Sequence, residues 1–388
     1  MIKGKIRFVD LFAGIGGFHQ AITNVFPDAE CVWASEKDFV TARVYKENFG
    51  IDAYNDITKF DEREIPSFDL LCAGFPCQPF SKGGDQKGFD DIRGTLFFDI
   101  VRILRYHKPK YILLENVANL INHDEGNTYK VILKSLHELG YVLPENPIKI
   151  SPDELGLPMQ RPRVFLPGIL TNKLKSINLI LPEKRAKITN HISDDFKFDE
   201  EVKDKSYNIS AYEKRIIKMW DQFYKGINKK TIGFPVWYDY FKYAAPPSHY
   251  PEWKQKFVEK NISLYRENKR FIDSWEKKYK NLNWVNNTHR KFEWQCGTDY
   301  NSIYDCLIQF RPSGVRVKRP TNFSTLVAMN HGQIVGWLLR RLTVNEVKQL
   351  QGFPVGFKLE NTIPISMKQL GNAVNVKVVE TIISQIVK

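Results

Sequence analysis

A short apolar run and a cysteine loop stand together at Phe68-Asp69-Leu70-Leu71-Cys72-Ala73-Gly74-Phe75-Pro76-Cys77-Gln78-Pro79-Phe80-Ser81. The apolar half is typical of a buried strand in a parallel sheet. Cys77 follows that strand between two prolines, each of which fixes φ near about −65°. The ends of such strands are where open α/β sheets bind ligands. The stretch predicts an α/β fold and leaves Cys77 as either a nucleophile on a stiff loop or an inert residue in a turn.

The composition is that of an ordinary globular protein with two or so domains. Of the 388 residues, 43% are hydrophobic and 26% are charged, which is the balance of a folded rather than a disordered chain. No apolar run approaches the length of a membrane span, and the start lacks a signal peptide's apolar segment. The five cysteines form no CxxC pair and no metal-ligand spacing. We therefore expect a cytoplasmic protein with no metal and no membrane partner.

The excess positive charge is concentrated in the middle of the chain. Residues 171–340 contain 31 of the 57 Lys and Arg but only 18 of the 44 Asp and Glu, which accounts for the whole net charge of +13. The same segment contains seven of the eight tryptophans. This combination is typical of a polyanion-binding module inserted into an enzyme. A solvated basic surface over an aromatic core is the other interpretation.

The opening of the chain predicts a nucleotide-binding βαβ unit. A strand pattern over Ile6–Phe12 leads into a glycine turn and a helix over about Gly17 to Val25. His19 occupies the third glycine position, so the dinucleotide fingerprint GxGxxG is not met. The second predicted strand ends at Glu36, about 20 residues past the turn, where such folds bind ribose hydroxyls. The pattern indicates a nucleoside-containing cofactor.

Two further carboxylates end predicted strands. Asp56 follows a third short strand near Ile51–Tyr54 and could bind a base amine or cap a turn. Glu115 ends a fifth strand, Tyr111–Val117, after a helix over Leu96 to Tyr106. An unpaired Glu at a buried strand tip is costly, so Glu115 is either paired structurally or kept for protonation chemistry.

The remaining landmarks lie downstream. Arg161 and Arg163 are expected on one face of a strand, where they suit an anion or a base edge, or form a salt-bridged surface. A domain boundary is placed near residue 171, and Lys254–Lys280 is helical in character. Spaced basic residues over Ile308–Pro320 predict a loop and strand that face phosphates. The final segments predict a capping box at Thr343 and Glu346 and a C-terminal helix opened by Gln369–Val374.

Together these blocks resemble the DNA cytosine-5 methyltransferases. The family's ordered blocks occur as Asp10–Gly17, Glu36, Asp56, Gly74–Ser81, Arg93–Phe98, Glu115–Val117, Arg161–Phe165, Arg341–Pro354 and Gln369–Val374. The intervening gap is where the family keeps its variable target-recognition segment. One departure is that the family pattern Gln-x-Arg-x-Arg has Met159 at its first position, with the glutamine at Gln160. This puts a role for that first glutamine in doubt.

The resemblance implies an S-adenosylmethionine-dependent, Rossmann-like α/β fold with a mostly parallel sheet flanked by helices. The implied domains are a catalytic and cofactor-binding domain over 1–170, a target-recognition domain over 171–340, and a return segment over 341–388. The implied reaction flips a cytosine out of duplex DNA, adds the Cys77 thiolate to C6 and methylates C5. Glu115 would protonate N3, and we expect burial to raise its pKa.

The site residues implied by the resemblance fall into three groups. The catalytic set is Cys77, Glu115, Arg163, Arg161, Gln78 and Ser81. The cofactor set, which would hold S-adenosylmethionine and its product S-adenosylhomocysteine, is Phe12, Gly14, Gly16, Gly17, Phe18, Glu36, Asp56, Ile57, Pro76, Leu96, Asn372 and Ala373. The DNA-contacting set is Arg311, Arg316, Lys318 and Arg319. The resemblance also implies a bacterial, nucleoid-associated monomer that works beside a cognate restriction endonuclease without binding it.

Two rival functions remain. An RNA cytosine-5 methyltransferase could use the same active site, but the Cys-Phe-Thr block of the transfer-RNA branch is absent and the large basic segment suits a duplex. A catalytically inactive DNA-binding protein is the second, and the presence of Cys77, Glu115 and Arg163 argues against it. His19 and the Cys77 block exclude a nicotinamide oxidoreductase.

Overall fold

The computed structural model describes residues 5–76, 96–181, 191–228, 232–326 and 332–387. The chain forms two compact units, the first made of Met1–Ile188 with Val347–Lys388 and the second of Thr189–Glu346. These boundaries lie somewhat later in the chain than the predicted 170 and 340. The roles predicted for the domains stay predictions. In the described residues no helix has the length and apolar character needed to cross a bilayer.

The strands and helices are numbered in chain order. The strands are β1 Arg7–Leu11, β2 Glu30–Ser35, β3 Leu70–Gly74, β4 Tyr111–Val117, β5 Tyr141–Val142, β6 Ile148–Ile150, β7 Arg163–Leu170, β8 Val236–Trp237, β9 Lys291–Gln295, β10 Leu307–Arg311, β11 Gly314–Lys318, β12 Ile334–Val335 and β13 Arg340–Arg341. The α-helices are α1 Gly17–Val25, α2 Phe39–Phe49, α3 Leu96–His107, α4 Asn127–Glu138, α5 Ile192–Asp195, α6 Ala211–Gly226, α7 Glu252–Glu267, α8 Lys269–Lys278, α9 Val344–Leu350, α10 Ile363–Asn372 and α11 Val376–Ile386.

The first unit is built on a mostly parallel sheet, which confirms the predicted fold class. Its strand order is β2-β1-β3-β4-β7-β5, and β6 also pairs with β7. Strands β2, β1, β3 and β4 are mutually parallel, whereas β7 runs antiparallel to β4. The inner strands are apolar because both of their faces are covered, and Phe8, Val9, Leu70 and Leu113 are completely buried. The parallel order brings the carboxyl ends of β1, β3 and β4 to one edge.

Local signals set the helix ends in this unit. Asp38 caps α2, its carboxylate accepting a hydrogen bond of 2.8 Å from the amide of Thr41, and Gly50 ends the helix with a φ of 74°. The predicted capping box before α9 is confirmed, because the Thr343 amide donates to Glu346 and the Glu346 amide donates to the Thr343 hydroxyl.

Two predicted elements are wrong in detail, and the helical character predicted for Lys254–Lys280 is confirmed. No strand forms over Ile51–Tyr54; Tyr54 makes only an isolated bridge with Glu36, so Tyr111–Val117 is the fourth strand. Lys254–Lys280 is two helices, α7 and α8, which meet at Asn268. The side chain of that residue bonds the carbonyl of Leu264 and the amide of Asn228.

The second error concerns the C-terminal helix. Gln369–Asn372 closes α10 and does not open the last helix, because the chain leaves helical geometry at Ala373. Asn375 then starts α11 by accepting a hydrogen bond of 3.2 Å from the Val378 amide. Buried apolar residues of α11, including Val379, Ile382 and Ile383, pack this helix into the first unit.

The second unit packs helices on one face of a six-stranded sheet of order β13-β12-β10-β11-β9-β8. Its core is aromatic: Trp220 stacks on Phe292 with ring centroids 4.9 Å apart, and Tyr224 stacks on Trp294 at 3.7 Å. Three of the segment's tryptophans, Trp220, Trp275 and Trp294, are therefore core residues. Their presence is explained by packing, in agreement with the second interpretation of the aromatic content.

Candidate active site

The tip of β4 lies beside the entry to the cysteine loop. Asn116 donates a hydrogen bond of 2.9 Å to the carbonyl of Phe75, which ties β4 to the segment that follows β3. A Cβ placed on Gly74 would lie 3.4 Å from Oε2 of Glu115. The predicted residues Cys77, Gln78 and Ser81 lie outside the described residues. The structure thus places Glu115 next to the point where the chain enters that loop.

Glu115 is a buried carboxyl paired with an arginine. Its Oε1 lies 3.1 Å from Nε of Arg163, and its side chain is 12% exposed. In the antiparallel β4–β7 ladder Glu115 is opposite Phe165, so Arg163, two residues away, projects from the same face. Burial raises the pKa of Glu115, while the charges of Arg163 and Arg161 oppose the rise. The direction agrees with the expectation, and it favours a carboxyl that can hold a proton.

Arg161 does not lie on the strand, contrary to the expectation that both arginines share one strand face. Strand β7 begins at Arg163, and Pro162 before it has no amide hydrogen to give to a ladder. The Arg161 amide donates to the Ser151 hydroxyl at 2.8 Å, and its guanidinium donates to the carbonyl of Ala373 at 3.1 Å. Burial, with repulsion from Arg163, lowers the pKa of Arg161 to about 10. Arg161 thus joins the arginine block to the segment after α10.

The departure from the family's arginine block also has a structural reason. Met159, at the position where the family has glutamine, is completely buried, whereas Gln160 is exposed. The methionine side chain is therefore a packing residue, and the exposed amide of Gln160 is not in the same position.

The glycine turn after β1 is held by Glu36. The Gly14 amide donates to Oε2 of Glu36 at 2.9 Å, and the Asp38 amide donates to Oε1 at 2.8 Å. Burial raises the pKa of Glu36, although both of these amide bonds favour its ionised form. Phe12, with a φ of 53°, and Gly14, with a φ of 57°, adopt the left-handed region that only glycine enters freely. A strained Phe12 at a strand end is typical of a functional site.

Gly16 and Gly17 are required for packing. A Cβ on Gly16 would lie 2.2 Å from the ring of Phe49, and one on Gly17 would lie 2.6 Å from the carbonyl oxygen of Val374. A Cβ on Gly14 would meet nothing within 4 Å. Of the three predicted cofactor glycines, Gly14 is therefore the one beside open space.

His19, the residue that breaks the dinucleotide fingerprint, belongs to a buried polar network. Its Nδ1 lies 2.8 Å from the hydroxyl of Tyr45, and its ring stacks on Phe49 at 3.8 Å. Burial lowers the pKa of His19 to about 3 and raises that of Asp10, which accepts the His19 amide hydrogen bond. The network links β1, α1 and α2 through Asp10, His19 and Tyr45. Sequence reasoning missed it because its members are far apart in the chain.

Asp56 is a turn cap. Its Oδ1 accepts hydrogen bonds from the amide and hydroxyl of Thr58 at 3.1 and 2.8 Å, and its Oδ2 lies 3.2 Å from Nζ of Lys37. The hydrogen bonds from Thr58, with a smaller contribution from Lys37, lower the pKa of Asp56. Of the two roles left open, the structure shows the cap, and the base contact stays a prediction.

The other predicted cofactor residues are distributed around this edge of the unit. Phe18 and Ile57 are buried, Leu96 opens α3, Pro76 is exposed, and Asn372 and Ala373 end α10. The cofactor role of these residues stays a prediction.

Gln369 is a candidate that the predicted catalytic, cofactor and DNA-contacting sets do not include, although it begins the block Gln369–Val374. It lies on α10 one turn before Ala373 and is 4% exposed. Among the described residues, neither its Oε1 nor its Nε2 has a hydrogen-bond partner. A buried amide with both atoms unsatisfied costs stability unless a ligand or water meets it. The unsatisfied amide of Gln369 is suited to a ligand that carries hydroxyl or charged polar groups.

The predicted DNA-contacting residues separate into two places in the second unit. Arg311 in β10 and Arg316 and Lys318 in β11 project from one face of the sheet, as strand alternation and the β10–β11 register require. Arg319 lies past the end of β11, where its guanidinium binds Asp299 at 2.6 Å and the Cys296 carbonyl at 3.2 Å. The first three form one surface, and Arg319 is held in an ion pair elsewhere.

Comparison with known proteins agrees with this arrangement. The family model described as C-5 cytosine-specific DNA methylase matches residues 6–388. The type II methyltransferase M.AluI of Cellulosimicrobium cellulans is 30% identical, over 100% of this chain and 92% of that protein. The type II methyltransferase M.BanI of Aneurinibacillus aneurinilyticus is 31% identical, over 98% of this chain and 96% of that protein.

A solved structure shows the same fold. The crystal structure of S. pombe Dnmt2 methyltransferase matches with a TM-score of 0.57 and 20% identity, over 98% of both chains. The family model matches nearly the whole sequence, and the structure has a mostly parallel sheet with a buried glutamate paired with an arginine at its edge. The chain therefore belongs to the C-5 cytosine-specific DNA methylase family and is a DNA (cytosine-5)-methyltransferase.

Proposed function

We propose that this protein methylates a flipped-out cytosine of duplex DNA, with Cys77 as nucleophile and Glu115 as proton donor. The observation that carries the proposal is the Glu115 carboxyl, buried beside the entry to the Cys77 loop with a raised pKa. Cytosine C5 is a poor nucleophile. Addition of a thiolate at C6 with protonation of N3 converts the ring into an enamine that is nucleophilic at C5.

The chain's own residues divide this work. Cys77 supplies the thiolate that forms the bond to C6, and Glu115 holds a proton at the position of N3. Arg163, 3.1 Å from Glu115, fixes the carboxyl and adds positive charge near the base. Loss of the C5 proton and expulsion of the thiolate restore the aromatic ring and the free enzyme.

S-Adenosylmethionine, the methyl donor of this family, supplies an electrophilic methyl group when bound. Glu36 and the backbone of Gly14 are the residues that would bind its ribose, and α10 with Gln369 and Asn372 would form the opposite wall. This assignment is supported by the buried carboxylate of Glu36 and the unsatisfied amide of Gln369.

Duplex DNA is the proposed substrate because the second unit presents a basic face. Because C5 and C6 of a stacked cytosine are inaccessible to a side chain, the base must leave the helix. Relatives that match over almost their whole length are named type II methyltransferases. We therefore assign this enzyme to the modification side of a restriction-modification system.

A covalent-trapping experiment tests the nucleophile. Wild-type protein and the control Cys31→Ser should each form a covalent complex with a duplex carrying 5-fluorocytosine at the target. Cys77→Ser should form none and transfer no methyl group, yet shift the same duplex in a gel. Methyl transfer by Cys77→Ser would contradict the assignment.

The target is found by bisulfite sequencing of DNA from a host that expresses the gene. Methylation confined to one short sequence supports a modification enzyme. Incorporation of label into transfer RNA and not into duplex DNA would instead support the RNA methyltransferase.

A further inference from the structure

One face of the sheet in the second unit is cationic, whereas its other face is buried. Side chains alternate along β9, β10 and β11, and one alternating set, which includes Phe292, Trp294, Val315 and Val317, lies in the hydrophobic core. The other set faces away from that core. Its polar members, which we call the polar sheet face, are Lys291, Glu293, Gln295, Gln309, Arg311, Arg316 and Lys318. Leu307, which belongs to the same alternating set, is completely buried. The polar sheet face carries four basic residues and a single carboxylate.

The carboxylate of Glu293 is shared by two arginines. Gln309 is opposite Arg316 in the β10–β11 ladder, and Arg316 is opposite Glu293 in the β11–β9 ladder, so the three form one row across the sheet. Nε of Arg316 donates to Oε2 of Glu293 at 2.7 Å, and a terminal nitrogen of Arg311 lies 3.9 Å from the same oxygen. One negative charge thus faces two positive ones.

A carboxylate at the centre of such a surface is unfavourable for binding phosphates, because it repels them. It is useful if the arginine beside it must keep one orientation. The contact with Glu293 uses the Nε–H, one of the five donors of the guanidinium, and fixes the plane of the group. The terminal N–H groups of a guanidinium match a pair of acceptors such as O6 and N7 of guanine.

We propose that Arg316 recognises a guanine edge in the major groove of the substrate and that Glu293 is the positioning residue that holds its guanidinium. The inference rests on the proposed duplex DNA substrate. Arg311 and Lys318, at the ends of the same face, supply positive charge to the flanking phosphates. The recognition sequence therefore contains a guanine whose discrimination depends on the Arg316–Glu293 pair.

The test measures kcat/KM on a duplex with the mapped recognition sequence and on a set with each base pair replaced in turn. Arg316→Lys keeps the charge but loses the planar fork. It should lose roughly 10- to 100-fold of discrimination at one G·C pair, with the salt dependence of binding unchanged. Glu293→Gln should relax the same position and bind non-cognate DNA more tightly, because a negative charge is removed.

Matched controls separate this effect from charge alone. Glu252→Gln removes an equivalent carboxylate from the surface of α7, where Glu252 pairs with Lys256 at 2.6 Å, and should leave discrimination unchanged. Thermal melting and binding to non-cognate duplex establish that each variant is folded.

Arg316→Lys with wild-type discrimination at every position would overturn the proposal. A loss of affinity that is uniform over all duplexes, with no base pair affected more than the others, would also overturn it, because that is the signature of a phosphate contact. Failure of the wild-type protein to methylate any duplex would instead refute the proposed substrate.

Discussion

Replacing Glu115 by glutamine separates the chemistry of this carboxyl from its effect on stability. Burial raises the pKa of Glu115 more than the charges of Arg163 and Arg161 lower it, so the folded protein favours the neutral carboxyl compared with water. Glutamine has the shape of that neutral form but cannot deliver a proton. We expect methyl transfer by Glu115→Gln to fall by about 10²- to 10⁴-fold, the usual contribution of a general acid.

Stability should change in the opposite direction. A carboxyl whose pKa is raised by folding stabilises the protein below its unfolded pKa of about 4.3, and that contribution is lost as the pH rises towards the folded pKa. In that window wild type should lose stability relative to Glu115→Gln at about 1.4 kcal/mol per pH unit. The stability of the variant relative to wild type should therefore rise with pH across this window.

The assay is urea unfolding of both proteins between pH 4 and 8, beside the rate of methyl transfer to DNA. Glu138→Gln is the control, since Glu138 is an exposed residue of α4 that lies 3.8 Å from Lys134; it should change neither quantity. A Glu115→Gln variant that keeps more than a tenth of the activity would refute the proton-donor role. A variant that is less stable than wild type at neutral pH would show that the pair with Arg163 outweighs the cost of burying the charge.

Two further variants test the cofactor edge. Gly17→Ala places a Cβ 2.6 Å from the carbonyl oxygen of Val374 and should lower the unfolding free energy by about 1–3 kcal/mol. The control Gly356→Ala, whose Cβ meets nothing within 4 Å, should leave it unchanged. Equal urea midpoints for the two variants would contradict the packing argument. Gln369→Leu removes two unsatisfied buried polar atoms, so the unfolding free energy of the ligand-free protein should rise by roughly 1–3 kcal/mol. Its affinity for S-adenosylhomocysteine, measured by calorimetry, should fall about tenfold. Unchanged affinity in a stabilised variant would show that the amide does not contact the cofactor.

Elements with strong local signals were predictable from the sequence. The bounds predicted for α1 and for β4 agree with the structure, because a glycine turn, a proline or a continuous apolar run marks their ends. The segment over Ile51–Tyr54 shows the limit of such signals. It has strand-like composition. Strand β2 is the edge strand on that side of the sheet, and the segment pairs there through the isolated bridge between Glu36 and Tyr54. A strand needs a partner, and composition does not show whether one is present.

The glycine turn was located correctly for a reason that is only partly right. The sequence places Gly14, Gly16 and Gly17 of this turn in the cofactor set. In the structure Gly16 and Gly17 are required by Phe49 and Val374, and only Gly14 faces open space. Helix α1 must approach α2 and the segment after α10 closely, and that requirement joins residues more than 350 positions apart. Sequence spacing alone cannot distinguish a ligand contact from a packing contact.

The pairing of Glu115 with Arg163 depends on the register of two antiparallel strands 48 residues apart. Glu115 is opposite Phe165, and the ladder begins at Val117 and Arg163. Because side chains alternate between the two faces of a sheet, a slip of one residue would move Arg163 to the far side and leave the buried carboxyl without its cation. An unpaired buried charge is far more costly than the paired one. The β4–β7 register therefore supplies the cation that limits the rise of the Glu115 pKa caused by burial. This explains why the sequence identified both residues but could not show how they act together.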